Sequence, residues 1–431
     1  MHRPLVNLSL LSMTLLALAD RAAAEVISDD AVKLTIGVTS QERLDIGRGS
    51  SVDPASGSRS TYAPIEGIVG QPDDADFSMR RLRLTLKGAY QQDWIFQLQL
   101  QADNLGKASP STTAANANTV GVYDAWAGRR FTGGSTTQQL TAGLQTACVQ
   151  MAQFRGTTLL LPTNRAASAL FSPRGVGVAY RLEAPVVSLG IDVQNNLGDD
   201  AAVGGGGVAA QDTYGEGMVY DARLSFTGTG DWAAAWQESF AGKSGHGFVI
   251  GFDVGLNKRD RMLGAPFTAN GSVDSTLYGV EAVLHLDGLS ALVYHRTVLR
   301  TATADGGVAD PADTAFARRQ YAMGIQGGYA FPFMGCMLEP AARYEKIDNN
   351  ADVDGDGTGA LTTGAKNFGT AEFGTSGRQI ELGLNLYFNG HKNKIGVELI
   401  HWTGEDTVSA AGARSDGPTA NILRVQHQLW F

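Results

Sequence analysis

A period-two alternation of apolar and polar residues recurs along most of this chain. Within residues 78–90, Leu82, Leu84 and Leu86 fall on one face, opposite arginine, threonine and lysine. Successive side chains of a β-strand point to opposite faces, so this pattern predicts strands with one apolar and one polar face. The sequence has no heptad repeat and no long amphipathic helix. An all-β fold is therefore predicted.

The polar face of the predicted strands carries long hydrogen-bonding side chains. Residues 93–102 place Trp94, Phe96, Leu98 and Leu100 opposite Gln97, Gln99 and Gln101. Such ladders are typical of the inner wall of a water-filled barrel, whose apolar outer wall faces lipid. A soluble secreted β-protein that acts as a binding module is an alternative, because the sheets of a sandwich also alternate.

The spacing between the predicted strands indicates their topology. Short connections alternate with long polar ones, the short ones being 91–92, 184–185, 288, 331–333 and 390–392, and the long ones 39–77, 103–120, 148–174, 196–216, 300–317, 347–376 and 403–420. Outer-membrane barrels have short periplasmic turns and long external loops. Treating 228–246 as a longer periplasmic connection keeps the alternation. The result is a transmembrane antiparallel β-barrel of about 16 strands, an even number as in bacterial outer-membrane barrels.

The amino terminus predicts export. A basic start, an apolar stretch over residues 5–19 and Ala22-Ala23-Ala24 are typical of a signal peptide, assigned to residues 1–24. Residues 25–431 are then one barrel domain in the outer membrane of a Gram-negative cell. No later run of 18 apolar residues predicts a transmembrane helix. The net charge of −9 gives no reason to expect a nucleic-acid partner.

The carboxyl terminus and the aromatic residues agree with a barrel. Residues 421–431 alternate and end in Phe431, the kind of closing strand that barrel-assembly machinery reads. Aromatic residues flank the predicted periplasmic turns, where an interfacial girdle in contact with outer-membrane lipid belongs; these are Tyr90, Trp94, Phe331, Phe333 and Phe388.

Several sequence blocks resemble the phosphate-selective porin O and P family. They are Arg80 to Gly88 followed by Asp93-Trp94, Phe171 to Val178, Leu338 to Asp348, and Gly383 to Asn389 followed by Lys394. The resemblance covers most of the chain in scattered blocks. It implies a 16-stranded, usually trimeric channel whose third loop, here 148–174, folds into the pore. The stretch Gly143 to Cys148 that leads into this loop lacks the aromatic residue and the lysine that the family has there.

The candidate site is the lining of the channel. The predicted inward-facing cations are Arg81, Arg83, Lys87, Arg181, Arg223, Arg343 and Arg424, and the third loop adds Arg155 and Arg165 at the expected constriction. Rings of Lys and Arg lower the barrier for anions. Carboxylates also fall on the polar faces, so a balanced wall without strong selectivity is an alternative. The predicted function is passive diffusion of small hydrophilic solutes, with anions such as phosphate as candidates.

A metal site is the weaker interpretation of one external loop. Asp352, Asp354 and Asp356 have the carboxylate spacing of the first half of a calcium loop. The twelfth position is Thr363 in place of the bidentate Glu, so a solvated acidic loop is favoured and no cofactor is expected.

Catalytic motifs do not support an enzyme. The sequence contains neither His-Glu-x-x-His nor Gly-x-Ser-x-Gly. The alternative, a barrel hydrolase, needs a Ser or Thr nucleophile near His285 or His295, which the alternation places on adjacent strands, where they could face each other.

Overall fold

The computed structural model of this chain is built almost entirely from β-strands. It describes residues 24–28, 31–50, 73–102, 120–148, 160–162, 174–195, 218–228, 232, 237–239, 245–264, 267–304, 315–351, 377–404, 407–408, 414–415 and 419–430. Among the described helices, none is long and apolar enough to cross a membrane.

The strands follow one another in a continuous meander. They are β1 (Ala24–Ser28), β2 (Val32–Ser50), β3 (Asp73–Tyr90), β4 (Trp94–Gln101), β5 (Gly121–Gly133), β6 (Thr136–Thr146), β7 (Arg174–Glu183), β8 (Val187–Asn195), β9 (Met218–Thr227), β10 (His246–Gly264), β11 (Phe267–Leu286), β12 (Leu289–Ala304), β13 (Ala315–Tyr329), β14 (Phe331–Phe333), β15 (Cys336–Ala351), β16 (Gly377–Tyr387), β17 (Asn393–Gly404), β18 (Thr407–Val408), β19 (Arg414–Ser415) and β20 (Thr419–Trp430).

Antiparallel pairing of successive strands closes a barrel with 16 strand positions, as predicted. The seam is the pairing of β2 with β20, from Thr39 opposite Trp430 to Ser50 opposite Thr419. The short strand β1 pairs with the first half of β2 and continues the position of β20. Similarly, β14 continues β13 against β15. The pair β18–β19 is a separate ribbon in the connection before β20.

The alternation of the sequence becomes an apolar outer wall and a polar inner wall. Exposed apolar side chains point outward on successive strands, among them Leu84, Phe96, Leu140, Val178, Ile191, Leu224, Phe252, Leu284, Ile325, Leu382 and Leu399. Their neighbours in sequence point inward. The barrel therefore presents to its surroundings the surface that lipid requires, and the predicted fold class is confirmed.

Several strands extend further toward the long-loop end than the alternation predicted. The connection expected at 39–77 is confined to 51–72, because β2 reaches Ser50 and β3 begins at Asp73. Likewise β10 and β11 form a hairpin that extends to Gly264 and Phe267. A register shift next to Gln41 and Glu42 interrupts the alternation in β2, which continues beyond it with the exposed Ile46, so the pattern is broken within the strand.

The turns at the opposite end are tight. Asp287 and Gly288 have φ values of 42° and 94°, and Met334 and Gly335 have 47° and 81°. Positive φ at both central residues defines the two-residue turn that matches the twist of a hairpin. Residues 331–333, expected as a short connection, are the strand β14; the turn is displaced to Met334-Gly335.

Candidate functional site

A group of cations lines the inner face of β3 to β8. Arg81, Arg83 and Lys87 point inward from β3, Arg130 from β5 and Arg181 from β7, and the side chains of all of them are partly or fully exposed within the barrel. We call these residues the basic wall. Three of them, Arg81, Arg83, and Lys87, lie opposite glutamines in the strand register, at Gln41, Gln101 and Gln97.

The carboxylates described on the inner face of β3 to β8 are fewer and more buried than the cations of the basic wall. Among the side chains described on the inner face of β3 to β8, Glu183 has an exposure similar to that of the basic wall, whereas Asp124 and Asp192 are buried. The carboxylate of Asp124 is paired with Arg174. The accessible part of this inner face is therefore predominantly positive.

One member of the basic wall is held by an aromatic ring. The guanidinium of Arg83 lies 4.0 Å from the ring centroid of Tyr123, and that of Arg174 lies 3.6 Å from the same centroid. Cation–π contact stabilises such an arrangement by about 0.5–2 kcal/mol, depending on how far the ring is desolvated. Arg174 also donates to the Tyr123 carbonyl oxygen, at 2.5 Å. Tyr123 and Arg174 were not predicted, because no alternation signal identifies a ring between two guanidinium groups.

The inner face of the other half of the barrel is charged but buried. Arg223 is paired with Asp253 and Glu281, Arg343 with Glu381, and Arg424 with Asp45. Buried guanidinium groups are tolerated when carboxylates compensate their charge.

Three predicted pore-lining residues therefore differ from expectation. Arg223, Arg343 and Arg424 do point inward, but each is at most 2% exposed. Alternation identifies the face on which a side chain lies and not what covers that face. Arg81, Arg83, Lys87 and Arg181 lie on the accessible part of the inner wall.

A short part of the connection between β6 and β7 lies inside the barrel. Leu160 and Leu161 are fully buried. Asn385 on β16 donates to the Leu160 carbonyl oxygen over 2.5 Å, and Arg43 on β2 donates to the Pro162 carbonyl oxygen over 3.0 Å. Residues 160–162 are therefore fixed to the inner wall through their backbone.

Wall glycines provide the space for this tripeptide. A Cβ atom added to Gly328 would come within 2.8 Å of Leu160 Cδ1, and one added to Gly396 within 2.8 Å of Pro162 Cγ. A Cβ on Gly383 would overlap the Leu161 side chain. Each residue of the tripeptide thus packs on a position that only glycine leaves open.

The start of the same connection is also anchored. Cys148 is buried, and its backbone N–H donates to the carboxylate of Asp192 on β8. Burial raises the pKa of the Cys148 thiol, and the nearby Asp192 raises it further, so the thiol stays protonated and unreactive.

Two sets of predicted residues lie outside the described residues. They are the constriction residues Arg155 and Arg165, and the candidate metal ligands Asp352, Asp354 and Asp356.

The connection between β9 and β10 also enters the barrel, from the short-turn end. The sequence predicted residues 228–246 as a longer periplasmic connection. In its described part, Glu238 accepts a hydrogen bond from Gln326 over 2.8 Å, and Ser239 donates to Glu339 over 2.9 Å. Both partners are on the inner wall.

Within the described residues, no group of three or more His, Cys, Asp and Glu side chains could hold a metal ion.

The two histidines considered for a hydrolase do not face each other. His285 points inward, with Nδ1 3.2 Å from Ser290 Oγ and Nε2 2.8 Å from the Gln237 carbonyl oxygen. His295 points outward and stacks on Tyr321. Their positions in the strand register differ in parity, which places them on opposite faces of the sheet.

Comparison with known families identifies the barrel. No curated protein matches the sequence. A sequence model of the family Phosphate-selective porin O and P matches residues 59–282, more than half of the 431 residues. The chain belongs to this porin family. The porin is therefore an outer-membrane channel, and the location predicted from its alternating strands is confirmed.

Two solved structures with a TM-score of 0.50 share the barrel fold of the porin. OmpTdeltaL8, a loop deletion mutant of an outer membrane protein of Vibrio cholerae, is 10% identical, with 92% of this chain and 99% of that chain covered and a TM-score of 0.50. Outer-membrane expressed OmpT of Vibrio cholerae is 10% identical over 94% and 100% of the chains, also with a TM-score of 0.50. The outer membrane channel DcaP of Acinetobacter baumannii is 12% identical over 94% and 99%, with a TM-score of 0.46.

Proposed function

We propose that this porin conducts small hydrophilic anions, with phosphate as a candidate, along the basic wall. The observation that carries the proposal is the separation of the two signs of charge. The cations of the basic wall are accessible inside the barrel, whereas Asp45, Asp253, Glu281 and Glu381 in the other half are buried against arginines.

A permeating ion responds to charges that it can approach. Asp253, Glu281 and Glu381 are each at most 5% exposed and paired with guanidinium groups, so little of their field reaches an aqueous path. The basic wall lies within a Debye length, about 8 Å at physiological salt, of any ion that moves along it. This distribution favours anion preference over a balanced wall, because rings of Lys and Arg lower the barrier for anions.

The proposal is tested by ion selectivity in planar bilayers. Under a KCl gradient, the reversal potential of the purified porin is expected to have the sign of anion preference. Added phosphate is expected to reduce the chloride current if phosphate enters the same path. A reversal potential of the cation-selective sign would contradict anion conduction.

We further propose that loop 148–174 narrows the channel. The burial of Leu160 and Leu161 inside the barrel supports this, because the loop must enter the lumen to place them there. Arg155 and Arg165 lie on either side of this tripeptide in sequence. Changing both to Ala is expected to move the reversal potential toward cation preference. Arg129, which points outward beside Trp94, is the control.

We also propose an oligomeric state and an assembly route for the porin, and no catalytic activity. The porin is proposed to be a homotrimer that barrel-assembly machinery inserts through the carboxyl-terminal strand. It is proposed to have no catalytic activity: His285 and Ser290 are buried, and Nε2 of the ring is occupied by a backbone carbonyl. Cross-linking in membranes tests the trimer, and assays with ester and lipid substrates test the absence of hydrolysis.

A further inference from the structure

We propose that Glu238 positions the third loop inside the channel, so that the periplasmic-side connection between β9 and β10 acts as a strut for the constriction. The inference rests on the proposed role of loop 148–174 as the narrowing element. It adds a second segment, from the opposite end of the barrel, that determines where this loop lies.

The two segments meet at one carboxylate oxygen. The backbone N–H of Leu160 donates to Glu238 Oε2 over 3.0 Å, and Gln326 Nε2 donates to the same atom over 2.8 Å. Glu238 is 1% exposed. The Leu160 carbonyl is held by Asn385, so the loop residue is bound on one side by the wall and on the other by the connection.

The connection can act as a strut because it is itself fixed to the wall. Ser239, next to Glu238, donates to Glu339 on β15, and its carbonyl oxygen lies 2.7 Å from His391 Nε2 in the turn before β17. The Gln237 carbonyl oxygen accepts from His285 on β11. Three separate elements of the barrel thus hold residues 237–239 in place.

Loss of the Glu238 side chain leaves the loop without this support. The Leu160 N–H is then buried with no acceptor from the connection, which disfavours the seated position of the tripeptide. Movement of Leu160–Pro162 away from Gly328, Gly383 and Gly396 widens the lumen. A wider lumen raises conductance and, because wall charges are then screened more strongly, reduces selectivity.

Single-channel recordings on the full-length porin test this. Glu238→Ala is expected to raise the conductance and the open-channel noise and to move the reversal potential in a KCl gradient toward zero. Glu238→Gln keeps an oxygen acceptor for Leu160 and is expected to remain closer to wild type. Glu238→Ser, whose side chain is too short to reach the loop, replaces the alanine variant if that variant does not reach the membrane.

Substitution of a wall glycine tests the constriction by loop 148–174 independently of the role of Glu238. Gly383→Leu displaces Leu161 directly and is expected to raise the conductance without any change at Glu238. Gly327→Leu is the control, since an added Cβ there meets only the Ser290 carbonyl oxygen at 3.4 Å, on the lipid-facing side of β13. If Gly383→Leu raises the conductance but the Glu238 variants do not, the strut is wrong and the constriction stands. If neither changes the conductance, the constriction by loop 148–174 is wrong.

Discussion

Arg424 on β20 donates two hydrogen bonds to Asp45 on β2, from Nε to Oδ1 over 2.7 Å and from an Nη atom to Oδ2 over 3.0 Å. The two residues are directly paired across the seam at which the first and last long strands close the barrel. Both are buried on the inner face. A bidentate ion pair therefore joins strands that are far apart in sequence and adjacent only after closure.

Removal of one partner from this seam is expected to destabilise the barrel strongly. Asp45→Ala leaves the Arg424 guanidinium buried without its carboxylate, which costs about 3–5 kcal/mol. Thermal unfolding of the detergent-solubilised porin, followed by the gel shift of folded barrel, measures this. Arg129→Ala is the control. The side chains of Arg129 and of its ion-pair partner Asp93 are both exposed, so this pair contributes at most about 1 kcal/mol to stability. Similar stability losses for both variants would show that the seam pair has no special role.

The phase of the strands predicts opposite effects at neighbouring positions of β3. Leu84 points outward, is 45% exposed and pairs with Leu100. Thr85 points inward and accepts a hydrogen bond from Gln99. Leu84→Arg is expected to cost about 2–4 kcal/mol of folding free energy if the position lies near the bilayer midplane, whereas Thr85→Arg adds a cation to a wet wall. Folding titrations into lipid vesicles compare them, and equal losses would mean that the assigned strand phase is incorrect.

The last residue is expected to matter for assembly more than for the finished fold. Trp430 already pairs with β2, and its backbone N–H donates to the Lys392 carbonyl oxygen over 2.8 Å. Phe431 lies outside the described residues. Its deletion is expected to lower the amount of barrel in the outer membrane while export and signal cleavage continue. Fractionation and immunoblotting measure the amount of barrel in the outer membrane and the extent of signal cleavage, with Lys392→Gln as a control. Unchanged outer-membrane levels after the deletion would contradict the proposed link to assembly machinery.

The barrel could be predicted from sequence because its repeating unit is a local pattern. The alternation of Leu84 with Thr85, and of Phe96 with Gln97, identifies strand, face and phase without knowledge of any distant residue. The Asp287-Gly288 turn was predictable for the same reason, since the dipeptide itself favours the conformation that the hairpin needs.

The arrangement inside the barrel could not be predicted in this way. Burial of Arg343 and Arg424 depends on carboxylates from other strands. The position of residues 160–162 depends on glycines of three strands, each more than 150 residues away in sequence. One local signal did exist: the apolar run Leu159 to Pro162 in the middle of a polar external loop. An apolar run there indicates a segment that returns to a buried surface.

We attribute the proposed anion preference of the channel to the accessible cations of the basic wall. Three of the five residues of the basic wall, Arg81, Arg83 and Lys87, lie on β3 opposite glutamines. Changing all three to Gln removes their charge and keeps the positions polar. Arg129→Gln, on the outer face, removes a cation that permeating ions do not meet.

The most direct test is the reversal potential of the Arg81→Gln, Arg83→Gln, Lys87→Gln variant in a KCl gradient, compared with wild type and with Arg129→Gln. The predicted result is anion preference for wild type and for Arg129→Gln, with a clear shift toward cation preference in the triple variant at similar conductance. A triple variant whose reversal potential equals that of wild type would show that permeating ions do not follow the basic wall.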